Sequence, residues 1–410
     1  MTTLILHRGP LHANPYHEWL DGSGAKLVLL ASAEQLAVHG EELPRDEPYL
    51  HAEAVPDYDT GPLVAERAAE LIREYGVTDL VACTEYDIER AAVLRERFGL
   101  PGQWPDTAVP YRDKWEMKQA ATRAGVPVAR HALLRTAQDL TDFVAREGLP
   151  AVVKPRRGWG SVGVRFLRTD EDVRDWLADA ELTDGDGQPG WLVECFVDGT
   201  MCHVDGAVAG GRTVSMWPSQ YTYALADFRD RGGRVDIALD AADPLARRLN
   251  SFGEQVLRAL GGPPDFAFHI EVFVTPDGEL VLCEAACRAG GAGVRDVQQA
   301  MFGVDVAALP VRSQLGLPAG FEGPVAPPRV AGQLLFMMRP GTLRALPDQA
   351  TAPPGIVKRK DYARVGDVLK ESTFSGDFLT AFVVAGADRA ECERRIGEVK
   401  RWFLDGLDVG

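Results

Sequence analysis

A chain of 410 residues, 46% hydrophobic and 25% charged, is too long for one hydrophobic core and has the composition of a globular protein of two to four domains. Its net charge of -16 repels nucleic-acid backbone from most of the surface, so any phosphate-binding site has to be a local basic patch. No apolar run approaches the roughly 20 residues that span a bilayer, and the first residues lack a signal-peptide core; the expectation is no nucleic-acid or membrane partner and a cytoplasmic location.

In chain order, 3–7 (TLILH) and 26–32 (KLVLLAS) predict buried strands, 61–74 a helix, 78–84 (TDLVACT) a strand and 87–99 a helix. Alternation of strand and helix predicts a small parallel α/β domain over 1–105. No GxGxxG follows its first strand, so dinucleotide binding is not expected. His7, His12, His17, His39 and His51 stand at irregular spacings and are expected as surface or core side chains. The cysteines (Cys83, Cys195, Cys202, Cys283, Cys287, Cys392) form no CxxC pair and predict free thiols. Prolines in 101–110 mark a linker, after which a helix is expected to open at about Asp113. Lys114 in its first turn opposes the helix dipole, and Lys118 follows one turn on; a nearby anion or plain solvation would answer both, and solvation is the ordinary outcome.

Residues 149–167 (LPAVVKPRRGWGSVGVRFL) read as a strand ending at Lys154, a glycine-rich turn and a returning strand. Gly158, Gly160 and Gly163, with Ser161, can present backbone N–H groups to phosphate oxygens, and Lys154 adds a point charge. Arg156 and Arg157 are expected in solvent. With no GK[ST] and no helix following, this is not a Walker A loop, and a simple turn would carry the same glycines. A helix is expected at 170–181, a strand at 191–197 (WLVECFV) and a hairpin over 201–216. The stretch from Glu194 through Phe196 to Val197 offers backbone hydrogen bonds and an apolar wall to a planar base, and His203 and Asp205 share one face. Residues 217–236, irregular, aromatic and glycine-bearing, have the composition of a substrate loop, with Tyr221 a candidate contact.

An amphipathic helix over 244–261 leads into 268–291 (FHIEVFVTPDGELVLCEAACRAGG). Apolar runs flank Thr275-Pro276-Asp277-Gly278, which predicts a β-hairpin. A turn centred on Pro276-Asp277 sets Glu284 across from His269, so that His269, Glu271 and Glu284 project from one face. Two carboxylates among apolar neighbours repel unless a cation sits between them, and a hard ion such as Mg²⁺ fits. Arg288 can hold a phosphate or acyl-phosphate oxygen, and Gly290 and Gly291 allow backbone to approach a ligand closely. An edge hairpin with its glutamates in water would carry the same pattern. Helices follow over 295–316 with a break near Gly303, then a linker over 318–328 and a strand-rich segment ending in a helix over 330–405.

Lys114, the Lys154 strand with its glycine loop, Glu194-Cys195-Phe196-Val197, Glu271 with Glu284, and Arg288 stand in the order used by the ATP-grasp superfamily, which the chain resembles over roughly 1–320. Its C-terminal part resembles that of L-amino-acid ligases more weakly. The resemblance implies an α/β ATP-grasp fold: a Rossmann-like pre-grasp domain (1–105), a lid subdomain with the glycine loop (106–190), a large subdomain with the metal site (191–320) and a small C-terminal α/β domain (328–410). It implies ATP and Mg²⁺. Lys114, Lys154, Gly160, Ser161 and Gly163 would hold phosphates, Glu194, Phe196 and Val197 the adenine, and His203 the ribose. Glu271 and Glu284 would ligate Mg²⁺. Arg288 and Lys154 would be catalytic, with His269, Arg288, Gly290, Gly291 and Tyr221 toward substrate. Ala286 departs from the usual E-x-N-x-R, and Cys195 stands where a second acid commonly follows the hinge glutamate. The implied activity joins a small-molecule carboxylate and an amine, amino acids among them, through an acyl phosphate with release of ADP and phosphate. Many relatives are dimers, so the expected assembly is a homodimer. A biotin-dependent carboxylase-type subunit and a non-catalytic nucleotide-binding module are the competing functions.

Overall fold

The computed structural model describes residues 1–410 except 186, 224–232, 322, 324–325 and 373–375. Strands β1 (Thr2–His7), β2 (Lys26–Ser32), β3 (Tyr49–Val55) and β4 (Asp79–Ala82) form a parallel sheet of order β3-β2-β1-β4. Both of its faces are covered, which is why β1 and β2 read as unbroken apolar runs. Leu4, Leu6, Val28 and Leu30 join the core of helices Leu63–Glu74 and Ile88–Phe98, while Ile5, Leu27 and Leu29 pack with Tyr16 and Trp19. The edge strand β3 has no counterpart among the expected strands, because most of its side chains are only half-buried and its apolar signal is weak.

Strands β5 (His131–Leu134), β6 (Ala151–Pro155), β7 (Arg165–Leu167) and β8 (Trp191–Cys195) make an antiparallel sheet, β5-β8-β6-β7. Its apolar face is closed by Leu140 and Phe143 of helix Ala137–Glu147 and by Val173 of helix Asp170–Asp179. Each helix opens on a capping box, Thr136 with Asp139 and Thr169 with Asp172, which fixes where it starts. The glycine stretch is the connection from β6 to β7, where the sequence places it.

The rest of the chain supplies β9 (Thr200–Ala209), β10 (Arg212–Tyr221), β11 (Gly233–Ala238), β12 (Phe266–Val274), β13 (Leu280–Ala286), β14 (Val330–Met337), β15 (Gly341–Ala345), β16 (Ile356–Asp361), β17 (Val368–Leu369), β18 (Phe378–Gly386) and β19 (Asp408–Val409). Eight of these form one antiparallel sheet, β13-β12-β9-β10-β11-β14-β18-β16. Helix Pro244–Leu260 sets Leu249, Phe252 and Val256 into one core with Val204, Phe268 and Ile270. Gly206 of β9 has no room for a side chain, since a Cβ there would lie 1.9 Å from the Ser215 carbonyl oxygen. The C-terminal strands continue this sheet: β14 bonds to β11 on one side and β18 on the other, and helix Arg389–Gly406 adds Ile396, Val399 and Phe403 to their core. Residues 217–221, expected as irregular loop, extend β10 instead, and 233–236 begin β11; 224–232 lie outside the described residues. Among the described residues no helix is long and apolar enough to cross a membrane.

Candidate active site

The β12–β13 hairpin forms as the apolar runs predict, with a different register. Glu271 pairs directly with Glu284, and His269 pairs with Ala286. The turn takes in one residue more than expected, and a bulge between Glu271 and Val272 adds another, so Glu284 is carried past His269. His269, Glu271 and Glu284 still share a face, and the two carboxylates now stand at one position of the ladder. On its other edge β12 meets β9, where Glu271 faces His203 and His269 faces Asp205.

Three lysines approach this face. Asp113 caps helix Lys114–Arg123 by accepting from the Trp115 N–H, and Lys114 Nζ lies 3.0 Å from Glu284 Oε1. Lys114 also donates to the Gly158 carbonyl (2.7 Å), tying the helix to the glycine loop. Lys118, expected in solvent, is fully buried, because its helix packs Met117 and Ala121 into the core under β12 and β13. Its ammonium lies 2.9 Å from Glu194 Oε1, and Lys154 Nζ lies 2.9 Å from Glu194 Oε2. One carboxylate from β8 thus bridges two buried ammonium groups. Burial opposes ionisation of Glu194, but Lys118 and Lys154 outweigh it and hold the carboxyl low. Lys154 is raised despite burial, chiefly by Glu194; Lys118 stays lowered, since burial and the neighbouring Lys154 together exceed Glu194.

Arg156 is likewise not solvated: it pairs with Asp113 (2.6 Å) and donates to the Pro189 carbonyl, anchoring the base of the loop. Arg157 is half-exposed, 3.7 Å from Asp113. Within the loop Gly160 and Gly163 have positive φ, and Ser161 adopts φ 62° (a left-handed conformation uncommon outside glycine) with its side chain exposed. Phe196 is exposed, edge-on to Phe166, and its N–H is taken by the Pro150 carbonyl; Val197 is half-buried.

Arg288, just past β13, ion-pairs with Glu85, which also pairs with Arg112. Burial would raise the Glu85 carboxyl, yet Arg288, Arg112 and Lys114 bring it to about 2. Glu85 follows the C-terminal end of β4, the edge at which parallel sheets build their sites, and that position was its only sequence signal. Gly290 is buried against Asp205, and a Cβ there would lie 2.7 Å from Asp205 Oδ1; Gly291 is exposed.

Behind the carboxylates runs a buried polar chain. Gln333 of β14 accepts from the Gly293 N–H (2.8 Å) and donates to Asp236 Oδ2 (2.8 Å). Asp236 Oδ1 lies 3.2 Å from His203 Nε2, whose Nδ1 bonds Asp205; Asp205 Oδ1 in turn lies 2.7 Å from His269 Nδ1. His269 Nε2 ends the chain 3.6 Å from Glu271. Burial would lower His203, but Asp205 and Asp236 lift it to about 10, and Asp205 chiefly raises His269. Both nitrogens of His203 and Nδ1 of His269 are taken up by carboxylates, so the grouping of His203, Asp205 and His269 is a hydrogen-bonded charge network instead of a set of free metal ligands. His203, with both nitrogens engaged, is buried here instead of open to a ribose. Burial would raise Glu271, while His269, Arg234 and His203 bring it to about 2. Tyr221 is buried with its ring 5.1 Å from the Arg234 guanidinium carbon. Lys118 could have been found from its four-residue spacing to Lys114, which puts both on one helix face. Nothing local marks Asp236 or Gln333.

A parallel α/β domain, a small antiparallel sheet with a glycine loop, and a large antiparallel sheet bearing paired glutamates define the ATP-grasp fold, and the ATP-grasp domain family matches residues 147–296. Within that fold the chain resembles L-amino-acid ligases. It is 24% identical over 262 residues to the L-arginine-specific L-amino acid ligase of Bacillus subtilis, 62% of either chain. The L-amino acid ligase of Bacillus licheniformis superposes with TM-score 0.78 at 18% identity, over 100% of this chain and 98% of that one. The biotin carboxylase domain of Hydrogenobacter thermophilus 2-oxoglutarate carboxylase, in complex with MgADP, ADP and bicarbonate, superposes with TM-score 0.72 at 16% identity, over 100% of this chain and 90% of that one. The chain thus aligns with less than two thirds of the curated ligase's length, whereas its fold matches the solved ligase end to end.

Proposed function

We propose that this protein is an ATP- and Mg²⁺-dependent carboxylate–amine ligase, ADP-forming, that joins two small metabolites of the amino-acid class. The observation that carries it is the set of buried lysines, Lys114, Lys118 and Lys154, gathered from helix and lid onto Glu284 and Glu194 beside the Glu271/Glu284 pair. So many buried cations meeting carboxylates from other elements are placed to exchange protein carboxylate for phosphate. The likeness to an L-arginine-specific L-amino acid ligase and to D-alanine–D-alanine ligases supports amino acids as substrates.

Glu271 and Glu284 suit a hard divalent ion: two carboxylates occupy one ladder position, and each lies beside a basic side chain, His269 and Lys114. Bound there, Mg²⁺ would neutralise phosphate charge as a Lewis acid. Ala286, buried opposite His269, contributes no ligand. Lys118 and Lys154 hold the inner phosphates, Lys114 couples their position to the glycine loop, and that loop excludes water. The substrate carboxylate attacks the γ-phosphorus as ADP leaves; the amine then attacks the acyl carbon and expels phosphate. Arg288, released from Glu85, stabilises negative charge on the acyl phosphate.

The test is release of ADP with amino acids supplied singly and in pairs, with hydroxylamine added in place of the amine. Formation of ADP and an acyl hydroxamate is expected. AMP and pyrophosphate in stoichiometric amounts with product would overturn the assignment, and turnover only with bicarbonate and biotin would identify a carboxylase.

A further inference from the structure

A guanidinium stays charged at every physiological pH, so a buried one is ordinarily matched by a carboxylate. Arg90 is matched by Asp87, Arg112 by Glu85 and Arg156 by Asp113. Arg95, on helix Ile88–Phe98, is not. It is 6% exposed, and its Nη atoms donate only to carbonyl oxygens, of Leu80 (2.9 Å) and, at long range, Gln103 (3.4 Å). Among the described residues its Nε has no hydrogen-bond partner. Among the described residues no carboxylate is in ion-pair contact with it, in a chain whose net charge is -16.

Arg95 lines a cavity of about 270 Å³ between the parallel sheet, the start of β12 and helix Ala308–Gln314. The other walls are largely apolar, with Val81, Ile88, Pro101, Phe266 and Val311 among them. Asp265, the one acid among the described residues of the lining, is turned to the Gly210 N–H (2.9 Å). Arg288 also lines the space, and its charge is met by Glu85. A cavity with one uncompensated cation and apolar walls matches an amphiphilic anion of few atoms. We infer that this cavity binds a small organic carboxylate with a short apolar tail, its carboxylate on Arg95 and its tail against Val81 and Val311.

The test is titration of isobutyrate into the full-length protein without ATP or Mg²⁺, followed calorimetrically. Saturable binding at one site is expected, weakened about tenfold or more in Arg95→Met, which keeps an unbranched side chain but removes the charged donor. Val311→Phe, which fills the cavity and leaves Arg95 in place, should weaken it likewise, whereas Glu284→Gln should not, since that residue lies at the lysine cluster. No saturable binding to wild type, equal affinity in Arg95→Met or Val311→Phe, or loss of binding in Glu284→Gln overturns the assignment. Sulfate binding in the same Arg95-dependent way, with isobutyrate failing to compete, would overturn the carboxylate class.

Discussion

At the scale of residues, the site is a balance of buried charge. Glu194 is the shared counter-ion of Lys118 and Lys154, and Glu194→Gln would leave two ammonium groups buried against a neutral amide. Removing one member of a buried ion cluster costs about 3–5 kcal/mol. The variant without ligand should therefore unfold at clearly lower denaturant, and ATP should recover much of the difference by supplying anionic oxygens to the same lysines; wild-type midpoints in both states would contradict the pairing. Glu284→Gln is expected to keep the fold, because Glu284 is a partly exposed residue whose lysine partner has the Gly158 carbonyl as a second acceptor. Turnover at limiting Mg²⁺ should fall by about 10²-fold or more, the scale set by losing a preorganised charge at the reacting group. A wild-type rate there would remove Glu284 from the metal site.

At the scale of elements, β1 ends in a titratable group with a fixed proton. His7 is fully buried; its Nδ1 accepts from the Tyr16 hydroxyl (3.0 Å) and its Nε2–H donates to the Gly9 carbonyl (3.0 Å), which is the neutral tautomer. Burial is the main cause that lowers it from 6.5 to about 4. The folded state therefore binds fewer protons than the unfolded state between those values. Its contribution is fully present above pH 6.5, declines as pH falls toward 4, and is constant below, for a total of about 3 kcal/mol. Chemical denaturation of wild type and His7→Gln across pH 7 to 4 checks this: the variant should have the shallower decline, and parallel curves would show that His7 does not carry it.

At the scale of the whole molecule, the C-terminal strands belong to the sheet that carries Glu271 and Glu284. Gln333 of β14 joins the Gly293 backbone to Asp236, and from there His203, Asp205 and His269 reach Glu271. Gln333→Leu should lower unfolding stability by about 1–3 kcal/mol, since it leaves a buried N–H without an acceptor and takes a donor from Asp236. It should also lower kcat while ATP affinity, which the proposed function assigns to the lysines, stays near wild type. An unchanged kcat would show that the chain is structural only.

The glycine loop, Lys154, the hairpin and the capped start at Asp113 were determined by the sequence alone, because each rests on local chemistry: glycine's positive φ, alternation along a strand, a carboxylate ahead of a helix. The pairing of Glu271 with Glu284 was legible as a shared face, but the bulge that sets them level was not, since a bulge is decided by what packs on both sides. Tertiary structure alone decided that Lys118 is buried, that Glu194 serves two lysines, that Glu85 holds Arg288 and that Gln333 reaches Asp236. The partners in these contacts lie 76, 40 and 76, 203 and 97 positions apart. Such charges are paired only when separate elements close on one another, and no pattern along the chain records which carboxylate will meet which cation.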